Sequence, residues 1–235
     1  DVTGVLAVEL FEADDGRVFR CAVRRLLKSL ATDERSVVTT GDVVWVRPAR
    51  AGSEELGVRS EETEDGAPGS QAPDSRPPTP PEEGMIERVE PRRGVLTRAS
   101  RRREHVLVAN VDQLLIVVSL VEPDLKPHLI DRYIAAAHKG DLAPIVCLNK
   151  ADRVDPADYQ SLVGGYAQLG IPAVLTSACT GRGVPRLREL LRGRATVFSG
   201  QSGVGKSSLL NAVQPGLALR VKAVYGQAWP LYADG

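Results

Sequence analysis

Nine consecutive residues carry the strongest chemical signal in this chain: Gly200, Gln201, Ser202, Gly203, Val204, Gly205, Lys206, Ser207 and Ser208. They fit the spacing G-x-x-x-x-G-K-[ST] and lie between a predicted strand and a predicted helix, the context this motif requires. Such a loop is an anion nest. Gly200, Gly203 and Gly205 let the backbone curl so that successive N–H groups point inward at phosphate oxygens. The following helix adds the partial positive charge of its N-terminus. Lys206 is placed to reach the outer phosphates of a nucleotide, and the Ser207 hydroxyl is placed to take Mg²⁺.

A second motif, Asn149-Lys150-Ala151-Asp152, ends another apolar run. The Asp152 carboxylate can accept two hydrogen bonds from guanine, from N1–H and from the exocyclic amine. Adenine has neither donor in that arrangement, and an unmet buried acceptor is costly, so the site discriminates between the bases. Asn149 is expected to bridge the base edge and the phosphate loop, and the stem of Lys150 to lie against the ring. Alone, N-K-x-D is a weak signal, because strand-end turns favour Asn and Asp. Beside a phosphate loop it points to guanine, and an ATP-using kinase would leave it unexplained. The third motif is Thr176-Ser177-Ala178. The backbone N–H of Ala178 is placed to meet guanine O6, with Ser177 holding the turn, although three residues are too few to argue alone. No catalytic residue is identified.

The order of the motifs is unusual. Here N-K-x-D and S-A precede the phosphate loop, whereas most GTPases have the phosphate loop first. A parallel sheet accommodates the change if the original termini lie close together and were joined.

The elements that position these motifs alternate strand and helix from Asn110 onward. Leu114–Ser119, Ala143–Lys150, Ile171–Ala178 and Ala195–Gly200 read as strands. Helical spacing recurs at Leu129, Ile130, Tyr133, Ile134 and Ala137, from about Pro156 to Leu169, over Val184–Leu191 and from about Lys206. The pattern predicts a parallel α/β sheet with helices on both faces. Ligands then sit at the carboxyl ends of the strands, where all three motifs fall.

The N-terminal part reads differently. An alternating run through Val5, Ala7, Glu9 and Phe11 meets a hairpin turn at Asp14–Gly16, and Val18, Arg20 and Ala22 follow. Gly41–Pro48 and a segment from Gly84 add further strands. Short strands without helical spacing predict a small all-β barrel of OB type over residues 1–104, with the GTPase domain over 105–235. The barrel is interrupted at about 49–83 by a segment expected to be a disordered loop. Residues 53–83 hold nine acids and two bases, and six of the sixteen prolines fall in the insert. Such a composition cannot bury enough surface to offset its ordering entropy.

The formal charge is zero over 235 residues, but the acidic insert carries −7, so the remainder is +7. Arg92, Arg93, Arg98, Arg101, Arg102 and Arg103 gather where barrel meets GTPase domain and form a candidate RNA-contacting strip. His105, His128 and His138 show no ligand spacing. Cys21, Cys147 and Cys179 form no C-x-x-C pair and no zinc template, which fits small buried hydrophobes in a reducing compartment. No apolar run reaches the roughly 18 residues of a membrane span. The opening DVTGVLAVEL has neither Met nor a signal-peptide pattern, so the true N-terminus is expected upstream.

These residues together resemble a known family. GDVVWV, GMIERVEPRRGVLTR, VANVDQLLIVVS, NKAD, TSA and GQSGVGKSSLLNA, in that order, are similar to the ribosome small-subunit-dependent GTPase A family (RsgA/YjeQ), over most of residues 1–219. The resemblance implies an OB domain followed by a circularly permuted GTPase domain. It implies GTP/GDP and Mg²⁺ as ligands, and the small ribosomal subunit and its rRNA as partners. It further implies a cytoplasmic monomer that uses neither membrane nor DNA. Family members continue into a D-T-P-G segment and a zinc-binding domain. Here the residues after the phosphate-loop helix, ALRVKAVYGQAWPLYADG, contain no D-x-x-G and no Cys/His cluster. The chain is therefore expected to be a fragment or a truncation. The segments that sense the γ-phosphate are expected to lie outside it, which leaves a nucleotide-binding module without turnover as the alternative.

Overall fold

The computed structural model describes residues 9–12, 17–23, 38–49, 82–100 and 103–215. The chain divides into two compact units, one of residues 1–32 with 44–90 and one of residues 33–43 with 91–235. The dividing point before Pro91 differs from the 104/105 boundary read from the sequence, because residues 91–104 pack with the second unit.

The first unit holds four strands, β1 (Glu9–Glu12), β2 (Val18–Val23), β3 (Val44–Pro48) and β4 (Glu82–Val89), in the order β1-β2-β4-β3. β1 and β2 pair antiparallel; the turn predicted at 14–16 lies outside the described residues. β2 and β4 run parallel, and β3 pairs antiparallel with β4 through a register shift at Trp45/Val46. Phe19, Cys21 and Ile86 are buried, while Arg20 and Ala22 of the alternating strand face water. Most of the acidic insert lies outside the described residues. Its last two members correct the reading: Glu82 and Glu83 belong to β4, held by pairing with Phe19 and Arg20 and by the Ala49 N–H on the Glu83 carbonyl.

The second unit opens on a buried ion pair. Arg92 donates from Nε and Nη2 to the two Asp42 oxygens at 2.8 and 2.9 Å, and Asp42 also accepts from the Thr39 N–H at 2.8 Å. Arg92 is thus committed to structure rather than open to RNA. Arg93 and Arg98 are exposed, and Arg101 and Arg102 lie outside the described residues. β5 (Leu96–Ser100) and β6 (Arg103–Val108) form an antiparallel pair.

The main sheet follows: β7 (Gln113–Ser119), β8 (Ala143–Asn149), β9 (Ala173–Leu175) and β10 (Thr196–Ser199), all parallel in the order β10-β7-β8-β9. Every residue of β7 is buried. Its period-two alternation feeds two cores. Leu114, Ile116 and Val118 join Val146 and Leu148 of β8 in one cluster, with Ile130 and Ala137 of α1 (Pro127–Lys139) and Tyr166 of α2 (Gln160–Gln168). Leu115 and Val117 join Ile145 and Cys147 in the other, with Val184 and Leu187 of α3 (Val184–Leu191) and Leu209 of α4 (Lys206–Val213). Each such side chain contributes about 1.5–3 kcal/mol when fully buried, so β7 is anchored from both faces.

Local signals set the helix boundaries. Pro127 opens α1, His138 and Lys139 occupy its last turn, and Gly140 follows. The helix expected from Pro156 starts as a 3₁₀ turn, Pro156–Tyr159, capped by the Asp155 carboxylate on the Ala157 N–H at 2.9 Å; α2 begins only at Gln160. β9 is shorter than the strand expected over 171–178, because Thr176 and Ser177 turn away into the site.

Candidate functional site

The carboxyl ends of β10, β8 and β9 deliver the three motifs side by side. The phosphate loop leaves β10 at Gly200, where a Cβ would collide with the Val117 carbonyl of β7. Only glycine lets the loop pass this close to the central strand. Gly205 caps α4 with φ +93°, and a Cβ there would stand 2.5 Å from the Asn149 Nδ2. Lys206 Nζ donates back to the carbonyls of Gly200 and Gln201 at 3.1 and 3.0 Å, so its ammonium sits across the mouth of the loop. Gln201, Ser202, Gly203, Ser207 and Ser208 are half-buried around that mouth, and Val204 is buried beneath it.

The N-K-x-D loop is hydrogen-bonded to this loop. Asn149 is buried, and its Nδ2 donates to the Val204 carbonyl at 2.8 Å. This bond joins residues 55 apart in sequence and ties the end of β8 to the phosphate-loop motif. The Ala151 N–H donates to the Thr176 carbonyl at 3.0 Å, fixing the N-K-x-D turn to the end of β9. Lys150 has φ +63° and donates from Nζ to the Glu122 carbonyl. Burial, and then the neighbouring Arg153 charge, hold its ammonium pKa below the ordinary value. Arg153 donates to the Glu122 carboxylate at 2.9 Å. Glu122, in the segment after β7, therefore holds the N-K-x-D loop through both Lys150 and Arg153; sequence reading gave it no role, because Leu120–Lys126 carries no motif.

Asp152 is exposed at the loop tip, and a hydrogen bond from Ser177 holds its carboxyl below the usual carboxylate range. Ser177 is fully buried, and its Oγ also accepts from the Thr180 N–H at 3.1 Å. One hydroxyl thus shapes the S-A turn and aims the carboxylate. Ala178, half-buried, follows it on the same turn. Thr176 is also fully buried and donates to Asn149 Oδ1 at 3.2 Å. The sequence expectation had assigned Ser177 and Ala178 but left Thr176 idle.

The arrangement can bind a purine carrying donors on its Watson–Crick edge and, on the same ligand, a chain of phosphates. The donor set fits Mg²⁺ as well, since the half-buried Ser207 hydroxyl follows Lys206 in the first turn of α4 and would hold the ion beside the phosphates. Among the described residues there is no group of three or more His, Cys, Asp or Glu side chains that would hold a metal alone. No described helix is long and apolar enough to cross a membrane.

The family model of the RsgA GTPase matches residues 89–228 of the chain. The chain belongs to the RsgA GTPase family. Two relatives named small ribosomal subunit biogenesis GTPase RsgA illustrate its distance from other members. That of Sodalis glossinidius (strain morsitans) is 38% identical over 85% of this chain and 49% of its own length. That of Moorella thermoacetica is 44% identical over 63% of this chain and 48% of its own. The chain spans about half the length of the curated relatives it matches. The crystal structure of YjeQ from Thermotoga maritima matches with a TM-score of 0.59 and 31% identity, over 88% of this chain and 60% of that one. YloQ, a circularly permuted GTPase, matches with a TM-score of 0.52 and 26% identity over the same shares. Membership in the RsgA GTPase family accounts for the motif order: the parallel sheet is shared, and the chain enters it at a different strand.

Proposed function

We propose that this chain is the guanine-nucleotide-binding portion of a GTPase that acts in late maturation of the small ribosomal subunit. The observation that carries the reading is the Asn149 amide donating to the Val204 carbonyl, which joins a base reader to a phosphate cradle across the permuted order. In this reading Asn149, Lys150, Ala151, Asp152, Ser177 and Ala178 bind guanine, and Gly200 to Ser208 bind the phosphates. Lys206 leaves the carbonyls of Gly200 and Gln201 for the outer phosphates when nucleotide enters. Mg²⁺, held by Ser207 and the nucleotide, neutralises charge on the phosphate oxygens.

The N-terminal unit, residues 1–32 with 44–90, acts as an OB-type barrel, and the second unit acts as the GTPase domain. The mixed four-stranded sheet of the first unit supports the barrel assignment. Exposed Arg93 and Arg98 supply part of an rRNA contact. The protein works as a monomer in the cytoplasm, on the small subunit rather than on DNA or membrane. The family's zinc site has no counterpart ligand set among the described residues.

Two measurements test the proposal. GTP hydrolysis is assayed with and without purified small subunits; stimulated turnover is expected of the full-length family protein. Nucleotide retained with no stimulated turnover means that this chain is a binding module alone. Asp152→Asn is expected to exchange guanine for xanthine preference, and unchanged GTP affinity would refute the base assignment.

A further inference from the structure

The end of the main sheet opposite the three motifs is also concave. A cavity of about 490 Å³ opens at the amino ends of β7, β8 and β9, within the roughly 300–1,000 Å³ of ligand sites. It shares no residue with the guanine site. Its floor is aliphatic: Ile145 and Ile171 are buried there, beside Pro172 and the half-buried Leu190. Leu169 also lines it and is 72% exposed, more than any other large hydrophobic side chain among the described residues. The end of α2 does not need a leucine there. Gly170 takes φ +73°, the Gly170 and Ile171 N–H groups donate to the Ala167 and Tyr166 carbonyls at 3.0 Å each, and Ile171 joins Tyr166 in the core. Ile171 thus supplies the apolar contact that completes this kind of helix end, and a polar residue at 169 would serve the fold as well.

The rim is cationic. Arg192, Arg194 and His138 line the cavity against one acid, Glu189, which already accepts from Arg186 at 2.9 Å. Residues 181–194 hold five arginines and that one acid, a net of +4. Arg188 is committed to the Ala212 and Val213 carbonyls at the end of α4. Arg192 and Arg194 are exposed and have no acidic partner among the described residues. The lining is poorly suited to a nucleobase. No Phe, Tyr or Trp lines the cavity to stack on a base. The NH₂ of its one side-chain amide, Gln113, is spent on the Leu190 carbonyl at 3.2 Å and the Thr196 hydroxyl at 2.7 Å. An aliphatic floor beneath free guanidinium groups matches instead an aliphatic side chain carried between carboxylates.

We propose that this cavity is a docking site for an acidic peptide segment of a partner protein. One aliphatic side chain of that segment packs on Leu169, Ile171 and Leu190, and its flanking carboxylates pair with Arg192 and Arg194. The planar guanidinium fork suits carboxylates because it can meet both oxygens at once. Docking removes the exposed Leu169 surface from water, which favours association. An apolar anchor in a pocket with charges at the rim is the usual division of labour in such contacts: the anchor gives affinity, and the charges give orientation and partner choice. The site stands independently of the guanine reading.

The test is fluorescence polarisation with the whole chain and a short fluorescein-labelled peptide in which glutamates flank a pair of leucines. Saturable binding is expected. Replacing the peptide's leucines by serines should weaken it by about tenfold or more, and Leu169→Ser in the protein roughly three- to tenfold, as loss of buried aliphatic contact does. Arg192→Glu combined with Arg194→Glu should weaken it by about tenfold or more, because like charges then face each other. Melting temperature and GDP affinity of these variants should match the parent chain, since all three side chains are exposed and lie apart from the nucleotide loops. No saturable binding of the leucine peptide, equal binding of the serine peptide, or parent-like binding by the variants would each overturn the proposal. An RNA oligonucleotide of equal charge that binds more tightly, with the same loss in the arginine variant, overturns it in favour of a phosphate-contacting face. Dimerisation of the chain that Leu169→Ser abolishes overturns it in favour of contact between copies. If the charge-reversed variant does not fold, Leu169→Ser and the serine peptide decide: a loss in both supports the proposal, and a loss in neither overturns it.

Discussion

Replacing Asn149 by Asp changes one NH₂ to an oxygen and nothing else in shape, at the bond on which the site depends. Asn149 is 2% exposed, and its Nδ2 stands 2.8 Å from a carbonyl on a residue that is itself 1% exposed. The change leaves the Val204 carbonyl without its donor and points a carboxylate oxygen at it, while the Thr176 hydroxyl still donates to the other oxygen. An unsatisfied buried acceptor costs about 1–3 kcal/mol. Taking about 2 kcal/mol, melting should fall by roughly 4–8 °C for a unit of this size. The defect should also depend on pH. Burial against a carbonyl raises the folded-state pKa of the new carboxyl above its unfolded value, so the folded state binds the proton more tightly. Stability is then retained below the ordinary Asp pKa and lost as pH rises through the raised one. Protonation restores an O–H donor to Val204, so the deficit relative to the parent chain shrinks from pH 8 to pH 5. Differential scanning fluorimetry across that range, with and without GDP, measures both effects. A melting temperature within 1 °C of the parent at every pH would refute the claim that this bond holds the two loops together.

Gly205→Ala is expected to abolish nucleotide binding, because the new Cβ meets the Asn149 amide at 2.5 Å and the backbone has φ +93°; equilibrium dialysis with GDP checks it. Asp42→Ala is expected to cost about 2 kcal/mol in urea unfolding, below the ~3–5 kcal/mol of a fully buried pair because the Arg92 side chain keeps 18% exposure. Iodoacetamide at pH 8 should label Cys179, which is exposed, well before Cys21 and Cys147, whose thiols are buried and raised in pKa; mass spectrometry of tryptic peptides reads the order.

Much of the GTPase fold was legible because its signals are local and redundant. An all-apolar run such as Leu114–Val118 has few homes other than a doubly covered parallel strand. The phosphate loop announces itself by glycines that the structure then requires. What stayed hidden depends on partners distant in sequence. Arg92 looked like part of a basic strip, and nothing near it in the chain reveals that the Asp42 carboxylate accepts from its Nε and Nη2. Glu82 and Glu83 shared the charge of the acidic insert, yet the pairing of β2 with β4 draws them into a strand. Thr176 passed as the first letter of a short motif. Its hydroxyl gains a role only when β8 and β9 lie side by side.

The place of β10 in the sheet has a consequence for synthesis. β7 is flanked by β8 on one side and by β10 on the other, and β10 is made last of the four. A ribosome adds about 5–20 residues per second. β7, β8, β9 and the helices that cover one face therefore emerge some seconds before the strand that closes the other edge of β7. During that interval Leu115 and Val117 await part of their cover from Val204 and Leu209, and Asn149 has no Val204 carbonyl to hold. A conventional order would make the phosphate cradle early and the base reader late. Here the nascent chain carries an N-K-x-D loop tied only to Thr176, Ser177 and Glu122, and the phosphate loop joins it when the residues leading into α4 arrive.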